Sequence, residues 1–183
     1  MKALVIAEKP SVGRDLASVL NCRNKRKGYL EGERYIVTWA LGHLVTLAEP
    51  QAYDKKYKQW QLNDLPMLPE PMRTHIIRKT APQMRVIQGL INRKDISEVI
   101  IATDAGREGE LVARWILLKA KWKGAIRRLW LSSQTEVAIK EAFQNLKPGK
   151  NYLRLYDAAV CRSEADWLIG LNVTRALTCK YDA

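Results

Sequence analysis

The sequence is poor in cysteine and has no long apolar run. Its three cysteines, Cys22, Cys161 and Cys179, form no CxxC or Cys/His cluster. An odd number in this arrangement argues against a disulfide framework and against a structural zinc site. No apolar run approaches the roughly 18 residues of a membrane span, and the amino terminus lacks a charged and then apolar leader. We therefore predict a cytoplasmic chain without a membrane segment.

Acidic residues are also few relative to basic ones. Lys and Arg number 31 against 19 Asp and Glu, which gives a net charge of +12. This excess favours a polyanion as partner, most commonly nucleic acid, although the charge does not distinguish DNA from RNA. Hydrophobic residues make up 47% of the chain, which excludes a disordered basic tail. The basic cluster from Arg23 to Lys27 is predicted to be a solvated surface turn.

Short apolar runs that each lead into a polar loop and a helix predict an α/β fold. The first run, Lys2–Ala7, precedes a helix that Ser11 is expected to cap, and a second run covers Val99–Ala102. A third strand is predicted over 126–131. The alternation indicates a mostly parallel sheet with right-handed crossovers.

Domain organisation follows from where this alternation stops. The Pro148-Gly149 pair is the clearest boundary, so we predict one domain over 1–148 and a helical region over 149–183. The proline-rich stretch 49–82 is predicted to be an irregular excursion over the surface. Neither a GxGxxG fingerprint nor a Walker P-loop is present, so no nucleotide cofactor is predicted.

Acidic loops follow two of the predicted strands. Glu8-Lys9 follows the first, and the sequence DAGREGE from Asp104 to Glu110 follows the second. Carboxyl ends of parallel strands meet at one edge of a sheet, so Glu8 and Asp104 are expected to lie close together if their strands are neighbours. Mg²⁺ takes one or two carboxylates together with substrate phosphates. The pattern predicts a Mg²⁺ site presented to a phosphodiester, with Lys9 and Arg107 placed to contact phosphate charge.

Each acid taken alone has a simpler explanation. Glu8 and Asp104 can end strands and cap helices, and Glu108 and Glu110 are favourable in the first turn of a helix. However, the glycines at 106 and 109 permit a close approach of backbone that capping does not need. The combined pattern therefore favours a site.

Two segments together resemble the Toprim domain of type IA DNA topoisomerases: IAEKPS at 6–11 and DAGREGE at 104–110. The segments 37–43, 53–60 and 165–176 are similar to the topoisomerase III branch in particular, and the similarity extends over nearly the whole chain. The resemblance implies a Rossmann-like Toprim domain, with a mostly parallel sheet flanked by helices, followed by the start of an all-α domain. It also implies an ATP-independent isomerase that cleaves, passes and rejoins single DNA strands through a 5′-phosphotyrosyl intermediate.

The same resemblance assigns the acidic site. Glu8 acts on the leaving 3′-oxygen or on the metal, and Lys9 contacts the scissile phosphate. Asp104 and Glu108 match the first and last acids of the family's Asp-x-Asp-x-Glu motif, but Gly106 stands at the middle position. We therefore expect a single Mg²⁺, held by Asp104 with Glu8 or Glu108.

Single-stranded DNA is the partner that the resemblance implies. Trp60, Trp167 and Arg175 match positions that touch the strand, Arg162 is expected to anchor the cleaved phosphate, and Asp166 to orient it. The residues alone leave simpler roles open. Trp167 can pack in a helix interface, Arg162 and Asp166 can form an ion pair one helical turn apart, and His43 is more simply structural than part of the site.

None of the seven tyrosines stands in the context of the family's reactive tyrosine. The chain is therefore expected to be an N-terminal fragment that forms no covalent DNA adduct by itself. Two rival hypotheses remain. A Toprim nuclease or primase would use the same acids on water or on a nucleotide. A non-enzymatic basic DNA-binding module predicts that Glu8→Gln and Asp104→Asn change no activity.

Overall fold

The computed structural model describes residues 1–181, so the last two residues of the predicted helical region, 182 and 183, lie outside the described residues. Strands and helices alternate along most of the chain. The elements are β1 (Lys2–Ala7), α1 (Pro10–Val19), β2 (Asn24–Arg26), β3 (Tyr29–Glu31), β4 (Tyr35–Trp39), β5 (Val45–Leu47), β6 (Thr74–Ile76), α2 (Ala81–Ile91), β7 (Ile96–Ala102), α3 (Arg107–Lys119), β8 (Ala125–Arg128), α4 (Glu136–Gln144), β9 (Lys147–Pro148) and α5 (Leu153–Tyr181).

Seven strands form one sheet in the order β2-β3-β4-β1-β7-β8-β9. The four central strands, β4, β1, β7 and β8, pair in parallel, and the outer strands pair antiparallel. The prediction of a mostly parallel α/β sheet with flanking helices is confirmed. From β1 the chain first winds to β4 on one side and later to β7 and β8 on the other. A topological switch point therefore lies between β1 and β7.

Two hydrophobic clusters cover the two faces of this sheet. Successive side chains of a strand point to opposite faces. Accordingly, Ile6 of β1 and Ile101 of β7 belong to the cluster with α2 and α3, whereas Val5 and Ile100 belong to the cluster with α1 and α4. Because residues 3–7 of β1 and 99–102 of β7 are buried on both faces, they appear in the sequence as continuous apolar runs.

Three predicted boundaries need correction. The second strand begins at Ile96, three residues before Val99, because its first half carries the polar residues Ser97 and Glu98 and lacks the apolar pattern. Helix α1 begins at Pro10, with Lys9 at the N-cap position, and the predicted cap Ser11 lies inside the helix. Proline is favoured at the first helical position because its missing N–H would be unpaired there anyway. The third strand ends at Arg128, three residues before its predicted end at Leu131.

The predicted irregular stretch 49–82 contains four short 3₁₀ turns, the strand β6, which pairs with β5 in a separate two-stranded sheet, and the first two residues of α2. Helix α5 packs against α3 and also holds this stretch. The Asn172 amide both donates to the carbonyl of Met67 and accepts from its N–H, at 3.0 and 2.6 Å. Hydrogen bonds from α5 therefore hold this segment in place where it has no regular secondary structure of its own.

No helix within residues 1–181 is both long enough and apolar enough to cross a membrane. The cysteines Cys22, Cys161 and Cys179 are all free. Cys22 is buried, and burial raises the pKa of its thiol to about 11, so this thiol is unreactive at neutral pH.

Candidate functional site

The two acidic loops meet at the carboxyl edge of the sheet, at the switch point. Glu8 directly follows β1, and Asp104 lies just beyond the end of the neighbouring strand β7. The backbone N–H of Asp104 donates to Oε2 of Glu8 at 2.8 Å. Glu8 is half-buried and Asp104 is exposed. One carboxylate is thus held by the loop of the other, and both remain accessible to a ligand.

A cleft of about 450 Å³ opens on these acids. Its walls come from both loops, from the first turn of α3 and from α5, and consist of Glu8, Asp104, Gly106, Arg107, Glu108, Gly109 and Arg162. Four of the nine predicted site residues, the three acids and Arg162, therefore lie around one cleft. Lys9 is exposed on the residue next to Glu8.

His43 also reaches this edge of the sheet. Its Nε2 lies 3.9 Å from Oε2 of Glu108, and both side chains are largely exposed. The residue follows β4 closely, just as Glu8 follows β1, and Gly42 turns the backbone there with φ +75°. The Gly42-His43 pair shortly after a predicted strand could have indicated that His43 lies at this edge. The structural role favoured from the sequence did not include its proximity to Glu108.

The side chains around the cleft offer few ligands for a metal ion. Within residues 1–181, no three His, Cys, Asp or Glu side chains are grouped closely enough to hold an ion between them. Glu8 and Asp104 do lie together, and Mg²⁺ needs only one or two carboxylates when water and phosphate complete its shell. Gly106 contributes no third acid. The residues present therefore fit one Mg²⁺ better than two.

Glu110, the last acid of the loop sequence, turns away from the cleft. It is completely buried, with Oε1 2.7 Å from Nε of Arg114 and Oε2 3.0 Å from Nε of Arg128. The second contact is an ion pair whose angles fall outside those of a hydrogen bond. Glu110 therefore cannot replace the missing middle acid.

Arg128 fixes the backbone that carries Asp104. Its side chain is completely buried, and burial lowers the pKa of the guanidinium while the charge of Glu110 opposes this shift. The guanidinium donates at 2.7–3.2 Å to four backbone carbonyls, those of Ile101, Thr103, Asp104 and Leu129. Sequence reasoning missed this residue because Arg127-Arg128 in a short strand resembles a solvated pair of charges.

The two glycines of the loop differ in their surroundings. A Cβ on Gly109 would lie 2.1 Å from the carbonyl oxygen of Asp104, which no folded backbone tolerates. A Cβ on Gly106 would meet no atom within 4 Å. The expected close approach of backbone therefore holds for Gly109 and is absent at Gly106.

The other predicted DNA-contacting residues lie away from the cleft or pack inside the chain. Arg175 lies about 20 Å further along α5 than Arg162. It is buried, its guanidinium lies 5.1 Å from the centre of the Trp60 ring, and Nη1 donates to the Tyr57 carbonyl at 2.8 Å. Trp60 is 47% exposed. The structure thus brings Trp60 and Arg175 together, but not to the acidic cleft.

Trp167 and the remaining pair lie on α5 as well. Nε1 of Trp167 donates to the Ala48 carbonyl at 3.0 Å, and the ring packs edge-on against Tyr53. Arg162 and Asp166 form an exposed ion pair with N···O 3.5 Å. The simpler roles considered for these residues are therefore present, and Arg162 in addition lines the cleft.

Comparison with known proteins agrees with this geometry. The family model described as the Toprim domain matches residues 3–134. The chain is 62% identical over 182 residues to DNA topoisomerase 3 of Bacillus cereus and 59% identical to that of Bacillus subtilis. Each match covers 100% of this chain but only 25% of the relative, so the chain spans about a quarter of the length of these relatives.

A solved structure shows the same fold. Full-length topoisomerase I from Thermotoga maritima matches 96% of this chain and 26% of that chain, with a TM-score of 0.66 and 20% sequence identity. With its acidic loops at the switch point and a family match over most of its length, the chain belongs to the Toprim domain family.

Proposed function

We propose that this chain is the Toprim part of an ATP-independent type IA DNA topoisomerase, which cleaves, passes and rejoins single DNA strands through a 5′-phosphotyrosyl intermediate. The observation that carries the proposal is the Glu8–Asp104 pair at the switch point, beside Glu108 and Arg162. The relatives named DNA topoisomerase 3 support it. None of the seven tyrosines of this chain is proposed as the nucleophile. A boundary between 148 and 149, where β9 ends the sheet, completes the proposed organisation.

The acids have separate roles in this proposal. Asp104, with Glu8 or Glu108, holds one Mg²⁺, which when bound neutralises the charge of the scissile phosphate. Glu8 acts on the leaving 3′-oxygen, where the hydrogen bond from the Asp104 N–H keeps its carboxylate in place. Lys9 contacts the scissile phosphate from the adjacent position.

Single-stranded DNA is the proposed substrate. Arg162 anchors the cleaved phosphate, and the ion pair with Asp166 orients its guanidinium. The exposed face of Trp60 can stack on a base, an interaction of about 1–3 kcal/mol. Arg175 lies against the Trp60 ring and supports it in this position. Trp167 fixes the neighbouring segment to α5 through its hydrogen bond to the Ala48 carbonyl.

The first test restores the middle acid of the motif. Gly106→Asp is expected to tighten Mg²⁺ binding by about tenfold, because it adds a carboxylate beside Asp104 in open space and a hard cation favours oxygen ligands. Titration calorimetry of Mg²⁺ measures the affinity and the number of sites, with one weak site expected before the substitution. Gly106→Asn, of the same size but uncharged, is the control. Two tight sites in the unsubstituted chain would contradict the proposal.

The second test measures the reaction itself. The corresponding quarter of the Bacillus subtilis relative is replaced by this chain, which is 59% identical to it. The chimera is expected to relax negatively supercoiled plasmid with Mg²⁺ and without ATP. Asp104→Asn or Glu8→Gln should reduce the rate at least about 100-fold, the loss typical of removing one electrostatic group from a reaction centre. Asp15→Asn on the exposed side of α1 is the matched control.

Other outcomes would favour the rival functions. A chimera that nicks DNA without rejoining it, or that synthesises primers from nucleotides, would favour a nuclease or a primase. Unchanged relaxation in both acid variants would favour a basic DNA-binding module that leaves catalysis to the rest of the protein.

A further inference from the structure

The hairpin formed by β2 and β3 carries a dense positive charge. Four of the five residues over 23–27 are basic, and all five are exposed. In the described part of the chain, none of these four cations forms an ion pair. Their charges are therefore not neutralised by the protein and are available to an external anion.

The sheet register places the hairpin tip on the same edge as the acidic cleft. One row of paired residues crosses four strands: Arg26, Tyr29, Thr38 and Ile6. Glu8 lies two residues after Ile6 along the chain, and the hairpin tip, Lys27-Gly28, directly follows Arg26. Because β1 and β2 run in the same direction, Glu8 and the tip extend beyond this row toward the same edge of the sheet. Since neighbouring strands are about 4.8 Å apart, β2 lies about 14 Å from β1. A nucleic acid strand that leaves the cleft along this edge would meet the hairpin tip.

The tip is held in a fixed position. Gly28 has φ +84°, a conformation that favours glycine, and its carbonyl accepts hydrogen bonds from Oγ1 of Thr38 at 2.8 Å and Nε2 of Gln83 at 3.0 Å. Gln83 lies on α2 and is buried. The cationic side chains therefore extend from a backbone that is anchored to the core, which lowers the entropy cost of binding.

We propose that the β2–β3 hairpin binds the phosphate backbone of the nucleic acid strand that occupies the acidic cleft. This inference rests on the proposed function, because the cleft must hold a phosphodiester. The carboxylates there repel phosphates, and the hairpin supplies attraction on the same edge. Basic residues on an edge strand also prevent pairing between sheets, but that role requires no approach of nucleic acid.

Salt-dependent binding of a labelled single-stranded oligonucleotide tests the proposal. Replacement of Lys25, Arg26 and Lys27 by Gln is expected to reduce the slope of log K against log salt by about 1.4–2.1, which corresponds to two or three lost phosphate contacts. Affinity at 0.1 M salt should fall at least about tenfold. The single variant Lys27→Gln should change the slope by about 0.7.

The control removes the same charge from the opposite edge of the sheet. Lys94, Lys121 and Lys123 are exposed residues that precede β7 and β8, and their replacement by Gln should leave the slope unchanged. Equal slopes in the hairpin variant and the unsubstituted chain, or equal reductions in both triple variants, would overturn the inference and leave the proposed function standing. Absence of salt-dependent binding by the unsubstituted chain would overturn both. Circular dichroism and sedimentation establish that each variant is folded and monomeric.

Discussion

Arg128→Met is expected to lower the free energy of unfolding by about 3–5 kcal/mol, because it leaves the buried carboxylate of Glu110 with one partner fewer. Arg114 alone would remain within ion-pair distance of that carboxylate. The substitution also removes one donor from each of four backbone carbonyls, although that of Ile101 keeps the bond from the Leu129 N–H, and buried carbonyls are costly when unpaired. Urea-induced unfolding followed by circular dichroism measures the change.

The neighbouring residue supplies a matched control. Arg127 lies on the same strand, but its side chain is 42% exposed and its ion pair with Glu98 is long, at 3.9 Å. Arg127→Met should therefore cost less than about 0.5 kcal/mol. A cost for Arg128→Met close to that of Arg127→Met would contradict a role for Arg128 in holding the loop.

A double substitution separates the buried charge from the lost packing. Glu110→Leu together with Arg128→Met removes the carboxylate that the single substitution isolates. It should be less destabilising than the sum of the two single substitutions by at least about 1 kcal/mol. Simple additivity would indicate that the two residues act independently of each other.

The sequence was sufficient to predict the parts of the fold that local patterns encode. The strand β1 and the second half of β7 were recognisable because both faces are buried there, which gives the continuous apolar runs 3–7 and 99–102. The acids after them could then be placed at one edge, because parallel strands share a direction. That β1 and β7 are neighbours was beyond the sequence pattern, since pairing between distant strands is decided by the packing of the whole sheet.

The rest of the site was hidden for a physical reason: burial reverses the usual meaning of charge. Glu110 was considered a favourable acid in the first turn of a helix, yet it is completely buried between two arginines. The partners of Trp167 and Arg175 were also hidden, because the hydrogen bonds of the two side chains go to backbone carbonyls that are 119 and 118 residues away in the sequence. Such partners become visible only when the tertiary structure is known.

The hairpin shows the opposite limitation. Strands β2 and β3 have three residues each and little apolar pattern, so neither was predicted. The cluster from Arg23 to Lys27 was predicted to be a solvated surface turn, which is wrong for Asn24–Arg26, because they pair with β3 as an exposed strand. The same short length makes the hairpin dependent on Gln83 and Thr38 for its position, and these residues are remote in the sequence.

Gly109→Ala is expected to lower the free energy of unfolding by about 3 kcal/mol and to weaken Mg²⁺ binding together with stability. The new Cβ would lie 2.1 Å from the carbonyl oxygen of Asp104, so the backbone of the loop has to move, and forced overpacking of this kind is costly. That movement displaces the N–H that holds Glu8. Urea unfolding and Mg²⁺ titration measure the two effects in the same variant.

Gly106→Ala is the matched control from the same loop. Its φ of 175° is extended backbone that any residue adopts, and no atom lies within 4 Å of the added Cβ. The free energy of unfolding should therefore change by less than about 0.5 kcal/mol, and the less flexible unfolded chain acts in the stabilising direction. If Gly109→Ala matched Gly106→Ala in both measurements, the close packing of the loop on Asp104 would have no energetic role. A loss of stability without a loss of Mg²⁺ binding would separate the fold of the loop from the arrangement of its acids.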